Sequence, residues 1–324
     1  GLDLTDVSGR IISTGTWDGY EADADGILDI SSLKVFDKYI LYDVRGPFAL
    51  KKGVFSAGSR EALIPNGVNR PIDSSEQVQA KFVGGVLTIN SQATTSQPTD
   101  YQARINLSHG QLKSFSQLYM QNRDRLEGVM NGWMTVQGKG AQAKDITGRG
   151  QLQISPAALY QMPVVFQVLN TLTAAPQDNS FFEYGRVDFQ IANEQFNFSS
   201  IDLVGSPMQL HGTGRAGFDD SLNLKFVSVL PNSRVRKSQV WIPIVSEVAG
   251  LVGGVANLVG VVVEVKGTTS NPQTKVIPAK NLDNAFKQFV RSLKPLPLTP
   301  PRPPAIPPLA FPGQQRRAQQ TSPR

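Results

Sequence analysis

Few residues in this sequence have the types and spacing that catalysis or metal binding requires. Asp219 and Asp220 are adjacent, and the only two histidines, His109 and His211, are far apart in sequence. Adjacent carboxylates in a turn are usually solvated or bonded to nearby backbone groups, and a metal site built on histidine is not indicated. The chain also lacks cysteine, a nucleophile elbow, a His-Glu-x-x-His motif and a Walker loop. We therefore expect no enzyme, no catalytic residues, no metal and no cofactor.

One glycine motif is typical of nucleotide-binding sites, but the residues that follow it do not fit such a site. Residues 212–217 read Gly-Thr-Gly-Arg-Ala-Gly and satisfy G-x-G-x-x-G. A dinucleotide site needs this turn to open a helix, whereas here two aspartates and another alternating stretch follow. We interpret the glycines as the end of a strand and a turn. Nucleic acid is not an expected partner either, because the net charge of +6 comes mostly from four arginines in residues 295–324.

The elements that would hold any site are mainly strands. Hydrophobic residues make up 40% of the chain and charged residues only 18%, with 29 glycines, a composition that favours strands and turns. Apolar and polar residues alternate over residues 101–107, 187–191, 195–198, 208–210 and 222–226. This period of two puts apolar side chains on one face of a sheet. Sequential strands tend to pair in a meander, and Val-Gly-Gly-Val at residues 83–86 is typical of a hairpin turn.

Helical patterns are confined to three stretches. Residues 111–125 lack glycine and proline, and residues 281–293 carry apolar side chains at helical spacing. Ser155 and Pro156 resemble an N-cap and a first helical proline, followed by a helix that Pro163 interrupts. We expect the last of these helices, over residues 281–293, to cap a sheet edge, with docking on a membrane as the alternative.

Two further segments bear on membranes and partners. Residues 248–263 carry no formal charge, but a spanning helix needs about 20 apolar residues. We therefore expect a buried helix that leads into a strand over residues 261–265, with contact with a membrane surface as the alternative. Residues 295–324 contain ten prolines and no helix or strand pattern, which predicts a disordered, basic tail. The terminal helix and this tail are candidates for contact with a membrane surface or an envelope protein.

Glycine-punctuated motifs follow one another in a specific order over residues 126–280. They are Leu-Glu-Gly at 126–128, Val-Gln-Gly-Lys-Gly at 136–140, Ile-Thr-Gly-Arg-Gly-Gln-Leu-Gln-Ile at 146–154, Met-Pro at 162–163, Phe-Gln-Ile at 189–191, Leu-His-Gly-Thr-Gly at 210–214, Leu-Asn-Leu at 222–224 and Val-Glu-Val-Lys-Gly-Thr at 263–268. Asn-Pro at 271–272 and Pro278 close the series. This order resembles the C-terminal region of AsmA-like proteins, and residues 1–125 are similar more loosely.

The resemblance implies a mainly β fold, a long twisted antiparallel sheet that forms a groove with an apolar inner face. AsmA-like proteins are membrane-associated, usually anchored in the inner membrane, and reach into the periplasm. They are implicated in lipid transport and outer-membrane biogenesis. The resemblance therefore implies a cell-envelope location, an anchor in an N-terminal part absent from this chain, and phospholipid or another acyl-chain lipid as ligand. The expected lipid-facing residues are Ile105, Leu107, Val187, Phe189, Ile191, Phe196, Phe198, Leu210, Leu222 and Leu224.

The expected organisation has three parts: a β-groove segment over residues 1–125, an AsmA-like β module with short helices over 126–294, and the tail over 295–324. Two alternatives stay open. The same alternation builds a structural or interaction β-sandwich with a closed core and a proline-rich spacer. A carbohydrate-acting enzyme would need two carboxylates set across a cleft, which sequence spacing does not show.

Overall fold

The computed structural model describes residues 4–18, 22–35, 38–63, 72–120, 126–159, 162–172, 182–205, 209–231, 258–278, 281–293 and 296–302. Within these residues the chain is mainly β, as expected, with fifteen strands and three short α-helices. Residues 248–257 of the segment expected to be helical (248–263) and residues 303–324 of the expected tail lie outside the described residues. Residues 258–260 were expected to be helical but belong to the strand Leu258–Thr268, which includes the expected strand over residues 261–265.

All fifteen strands belong to one antiparallel sheet. In chain order they are β1 Leu4–Trp17, β2 Ala22–Val35, β3 Tyr39–Lys51, β4 Val54–Ala57, β5 Val78–Phe82, β6 Gly85–Thr94, β7 Asp100–Gln111, β8 Glu127–Lys139, β9 Thr147–Ala158, β10 Tyr184–Ala192, β11 Gln195–Val204, β12 Gln209–Gly217, β13 Ser221–Pro231, β14 Leu258–Thr268 and β15 Pro272–Val276. The described strands therefore form no second sheet of the kind that a sandwich needs.

The strand order follows the chain order, which confirms the expected meander, with one departure. Both β4 and β5 pair with β3 on one side and β6 on the other, so they share a single strand position. The turn between β5 and β6 consists of Val83 and Gly84, both at positive φ. This is the geometry of a two-residue hairpin turn, as residues 83–86 predicted.

Three α-helices accompany the sheet: α1 Leu112–Tyr119, α2 Pro163–Leu172 and α3 Asn284–Ser292. The expectation that a helix begins at Ser155 and Pro156 was wrong, because both residues lie inside β9. The helix begins instead at Pro163, where the missing N–H of proline costs nothing because the first helical donors have no intrahelical partner. The proline that was expected to kink the helix therefore starts it.

The chain divides into two compact units, one over residues 1–108 and 133–148 and the other over 109–132 and 149–303. We call them unit 1 and unit 2. The core of unit 1 consists of Ile30, Leu41, Val44, Ala57, Val78 and Ala80, with Leu28, Leu33, Val35, Phe48, Phe82, Leu87 and Ile89 packed against them. These residues come from β2 to β6, so this core is built on one part of the sheet.

In unit 2, helices pack against the sheet. The α3 residues Phe286 and Val290, with Leu282 before the helix, form a buried cluster with Val227 of β13 and Val262 of β14. The apolar side of α3 is therefore occupied by the sheet. Helix α2 packs against β14 and β15, and the hydroxyl groups of Thr171 and Thr274 lie 2.7 Å apart.

Candidate functional site

Strand register decides which expected lipid-facing residues share a surface in unit 2. Residues directly opposite each other in an antiparallel pair project from the same face. Phe189 lies opposite Phe198, which lies opposite Gly214, which lies opposite Leu224. Extended along the strands, this register puts eight of the ten residues on one face, which we call the apolar face. They are Val187, Phe189, Ile191, Phe196, Phe198, Leu210, Leu222 and Leu224.

A bulge in β11 keeps this face apolar. The pairing of β10 with β11 passes from Phe189–Phe198 to Asp188–Ser200, so Ser199 is the extra residue. Its hydroxyl group donates to the carbonyl of Asp188 at 3.2 Å. Beyond the bulge the odd-numbered Ile201 and Leu203 replace even-numbered residues on the apolar face, because one inserted residue reverses the alternation.

Four phenylalanines form a continuous cluster at one end of the apolar face. We call Phe189, Phe196, Phe198 and Phe218 the phenylalanine cluster. The ring of Phe196 lies 5.6 Å from that of Phe189, 6.4 Å from that of Phe198 and 5.4 Å from that of Phe218. The three strand residues are half-buried and Phe218, in the β12–β13 turn, is 42% exposed. The cluster therefore presents aromatic surface at the edge of the packed region.

Small residues of β12 lie beside these rings. Gly214 is opposite Phe198 and Ala216 is opposite Phe196. Gly214 has φ +140°, and a Cβ there would lie 2.2 Å from the carbonyl oxygen of Asn223, so only glycine fits. These residues belong to the Gly-Thr-Gly-Arg-Ala-Gly motif, which lies in β12 and opens no helix. Its glycines permit close backbone approach within the sheet.

Four of the eight expected residues on the apolar face are already buried by the protein. Ile191, Leu210, Leu222 and Leu224 are all less than 9% exposed. Their neighbours on β14, Val263 and Val265, are fully buried. The surface of the apolar face that a ligand can reach is therefore smaller than the alternation predicted.

Ile105 and Leu107 lie in unit 1, on β7. They are opposite Ile89 and Leu87 of β6, which pack against the core of unit 1. Both residues are half-buried. They extend the apolar surface of that unit.

The reverse side of the same strands carries a network of charged and polar groups, and we call it the polar face. Arg186 is paired with Asp188 at 3.0 Å, and the amide of Gln151 donates to the same carboxylate. His211, which is 2% exposed, lies 2.7 Å from Asp202. Buried polar groups need partners, and the imidazole of His211 and the Nε2 of Gln151 find theirs in the carboxylates of Asp202 and Asp188.

A shallow cleft opens on the polar face at the start of α3. Its volume is about 370 Å³, and its lining includes Asn197, Arg215, Asn223, Lys225, Asp283 and Phe289. Lys225 is paired with Asp283. Two hydrogen bonds lower the pKa of Asp283: the larger effect comes from Lys225 and the next from the backbone N–H of Phe286. Asp283, the one acid in the lining of this cleft, therefore holds α3 to β13, and the described residues of the lining include no other carboxylate that could act as a general acid or base.

A second cleft of about 460 Å³ lies in unit 1 and includes Tyr101, Asp100, Lys139 and Asp145. Lys139 and Asp100 form an exposed ion pair at 3.6 Å. Burial, and then the charge of Asp145, raise the pKa of Tyr101. A phenol whose pKa is raised stays protonated and is no nucleophile at neutral pH.

Sequence reasoning missed Gln153, Tyr184 and Gln209, three residues of the polar face. They bind the backbone of residues 296–302. The partners are 148, 113 and 87 residues apart in sequence, so no local pattern could have indicated them.

Within the described ranges, no helix is long and apolar enough to cross a bilayer, and no group of three or more His, Asp or Glu side chains is placed to hold a metal ion. Comparison with known proteins found no matching family model, no similar curated protein and no similar solved structure.

Proposed function

We propose that this chain is a non-enzymatic module of the cell envelope that binds acyl-chain lipid, such as phospholipid, at the apolar face of unit 2. The observation that carries the proposal is the phenylalanine cluster, whose rings stay half-buried or exposed although Ile191, Leu222 and Leu224 beside them on the same face are buried. Covering about 100 Å² of such surface with an acyl chain contributes about 2.5 kcal/mol. An exposed aromatic patch of this kind is a candidate for apolar ligands.

The cell-envelope location and a role in outer-membrane biogenesis rest on the resemblance to AsmA-like proteins. The order of the glycine-punctuated motifs supports that resemblance, and a single sheet in meander order is compatible with it. The terminal helix α3 covers β13 and β14 instead of standing at the last strand of the order, β15, as edge capping would require. It is poorly suited to docking on a membrane, because Phe286 and Val290 are already buried against the sheet.

A scaffold without a ligand is the second candidate. The burial of Ile191, Leu210, Leu222 and Leu224 favours it, since a face that is filled by the protein's own side chains has no area left for lipid. The two candidates differ in what they predict for the phenylalanine cluster. Only the first requires that acyl chains contact these rings.

Site-specific crosslinking separates the two candidates. A photoreactive phenylalanine analogue would replace Phe189 on the apolar face, and the purified chain would be mixed with vesicles of phosphatidylethanolamine and phosphatidylglycerol that contain a clickable acyl chain. We expect lipid adducts at this position, detected by mass spectrometry, because a half-buried ring lies within reach of a bound acyl chain.

The matched control places the same analogue at Gln190, the next residue of β10, which projects from the polar face and is exposed. We expect few adducts there, although the analogue and the strand are the same. Equal labelling at the two positions, or none at Phe189 in a chain with unchanged circular dichroism, would favour the scaffold.

A further inference from the structure

Residues 296–302 lie against the polar face of unit 2. Three side chains from three strands hold them: Gln209 of β12, Tyr184 of β10 and Gln153 of β9. The Tyr184 hydroxyl group donates to the carbonyl of Pro297 at 3.2 Å. Each of these hydrogen bonds is made to a backbone carbonyl of the segment. The site therefore recognises an extended backbone and does not depend on particular side chains of the segment.

Gln209 makes the most complete of these contacts. Its amide Nε2 donates to the carbonyl of Leu296 at 2.9 Å, and its Oε1 accepts from the N–H of the same residue at 3.2 Å. One glutamine thus satisfies both backbone groups of one residue. This arrangement requires a residue that has an N–H, and proline has none.

Gln153 makes only half of the same contact. Its Nε2 donates to the carbonyl of Pro301 at 3.0 Å. Its Oε1 is buried and has no hydrogen-bond partner among the described residues, and Pro301 carries no N–H to offer it. Leaving a buried acceptor unsatisfied is costly, so the segment fits the site imperfectly at this point.

A second buried acceptor lies two residues along the same strand. The Oε1 of Gln151 also has no partner in the described part of the chain, while its Nε2 donates to Asp188. Residues two apart in a strand project from the same face. The polar face of β9 thus has two buried acceptors without a described partner, and the one on Gln153 lies beside Pro301.

We infer that Gln153, Tyr184 and Gln209 form a binding site for an extended peptide, and that residues 296–302 occupy it as an imperfect internal ligand. The preferred ligand is a proline-rich peptide of another protein with a residue other than proline at the position of Pro301. Such a residue would donate its N–H to Gln153 and complete the contact that Gln209 makes with Leu296. The tail of a second copy of this chain also has proline at position 301, so it too would leave the Oε1 of Gln153 without a donor. The site lies on the polar face, so it is independent of lipid binding at the apolar face.

Peptide binding to the full chain tests this inference. Three labelled peptides would span residues 294–303, with the native sequence, with Pro301→Ala and with Pro300→Ala. The recipient is the full chain with Leu296→Pro, which removes the N–H that Gln209 accepts and weakens the competing internal segment. In fluorescence anisotropy we expect the Pro301→Ala peptide to bind about two- to tenfold more tightly than the other two, the gain that one hydrogen bond supplies.

The Pro300→Ala peptide is the matched control, since it loses a neighbouring proline and gains no contact with Gln153. The advantage of the Pro301→Ala peptide should disappear when Gln153→Leu is added to the recipient. Equal affinity of the two alanine peptides, an advantage that survives Gln153→Leu, or no saturable binding by any peptide to a folded recipient would overturn the inference.

Hydrogen exchange in the full chain tests the site without the Leu296→Pro recipient, in case that variant folds poorly. In the otherwise native chain, Pro301→Ala should slow hydrogen exchange at the Leu296 amide by about two- to tenfold, while Pro300→Ala should not. Unchanged exchange in the Pro301→Ala chain would also count against the site.

Discussion

At the scale of single residues, Asp283 has two structural partners. One carboxylate oxygen accepts from the N–H of Phe286 at 2.8 Å and caps α3, and the other accepts from Lys225 of β13. The Lys225 ammonium group also lies 5.8 Å from the ring centre of Phe286. These contacts join the start of α3 to the sheet that α3 covers.

Two substitutions of Asp283 separate the cap from the ion pair. Asp283→Asn keeps an oxygen that can cap the helix, because asparagine caps about as well as aspartate, and it loses only the charge. Asp283→Ala loses both. We expect urea denaturation to give a loss of about 1 kcal/mol or less for the first, since the side chain is 52% exposed, and about 1–2 kcal/mol for the second.

The control is Asp100→Ala, which removes an exposed pair with Lys139 and no helix cap; we expect a change below about 0.5 kcal/mol.

The pH dependence of stability follows from the lowered pKa of Asp283. A lowered pKa gives stability that is present above the unfolded value of about 3.9 and is lost as pH falls through the folded value. The difference between the native chain and Asp283→Ala should therefore be constant near neutral pH and shrink below about pH 4. A difference that grows on acidification would contradict this assignment.

At the scale of elements, alternation alone predicted which residues of β10 to β13 share a face. Phe189 and Phe198 face the same way, as their neighbours in sequence indicated. Alternation could not locate the bulge at Ser199, because a bulge depends on the pairing partner. It also could not predict burial: Leu224 is buried while Phe198 is only half-buried, although both belong to equally regular patterns.

The error at Ser155 and Pro156 has a related cause. The two residues have a good local pattern for a helix start, yet Thr147–Ala158 is a strand. Pairing within the sheet outweighs a weak local preference of this kind. The contacts of Gln209 with Leu296 show the same limit over 87 residues of sequence.

The glycines of β12 give a prediction at this scale. Gly214→Ala adds a Cβ 2.2 Å from a backbone oxygen at φ +140°. Because neither the backbone nor the φ angle can adjust cheaply, we expect urea denaturation to show a loss of more than about 2 kcal/mol. Gly140→Ala is the matched control. Gly140 also has positive φ, +77°, but its Cβ would lie 3.8 Å from the nearest atom, so about 1 kcal/mol of backbone strain is expected. Equal losses for the two variants would show that close approach in β12 is unimportant.

At the scale of the whole molecule, the described strand order ends at β1 on one side and at β15 on the other, and the two ends differ. The β15 strand has five residues, begins with Pro272 and carries Lys275, features that discourage further pairing. The β1 strand has fourteen residues, and its Ile11 and Ile12 are more than half exposed. A long edge strand that exposes apolar side chains such as Ile11 and Ile12 is a template for another strand.

We therefore expect the purified chain to associate with itself in a concentration-dependent manner through β1. Ile12 is opposite Ile27 of β2, and the two side chains are 60% and 56% exposed. Ile12→Lys should weaken association, since a charge at an edge strand opposes pairing with a second chain.

Val86→Lys is the matched control, because Val86 is 43% exposed on β6, which has neighbours on both sides. In sedimentation velocity at rising concentration, Val86→Lys should associate like the native chain and Ile12→Lys should stay smaller. If Val86→Lys alone reduced association, the contact would involve an apolar surface of the sheet and the β1 edge would be irrelevant.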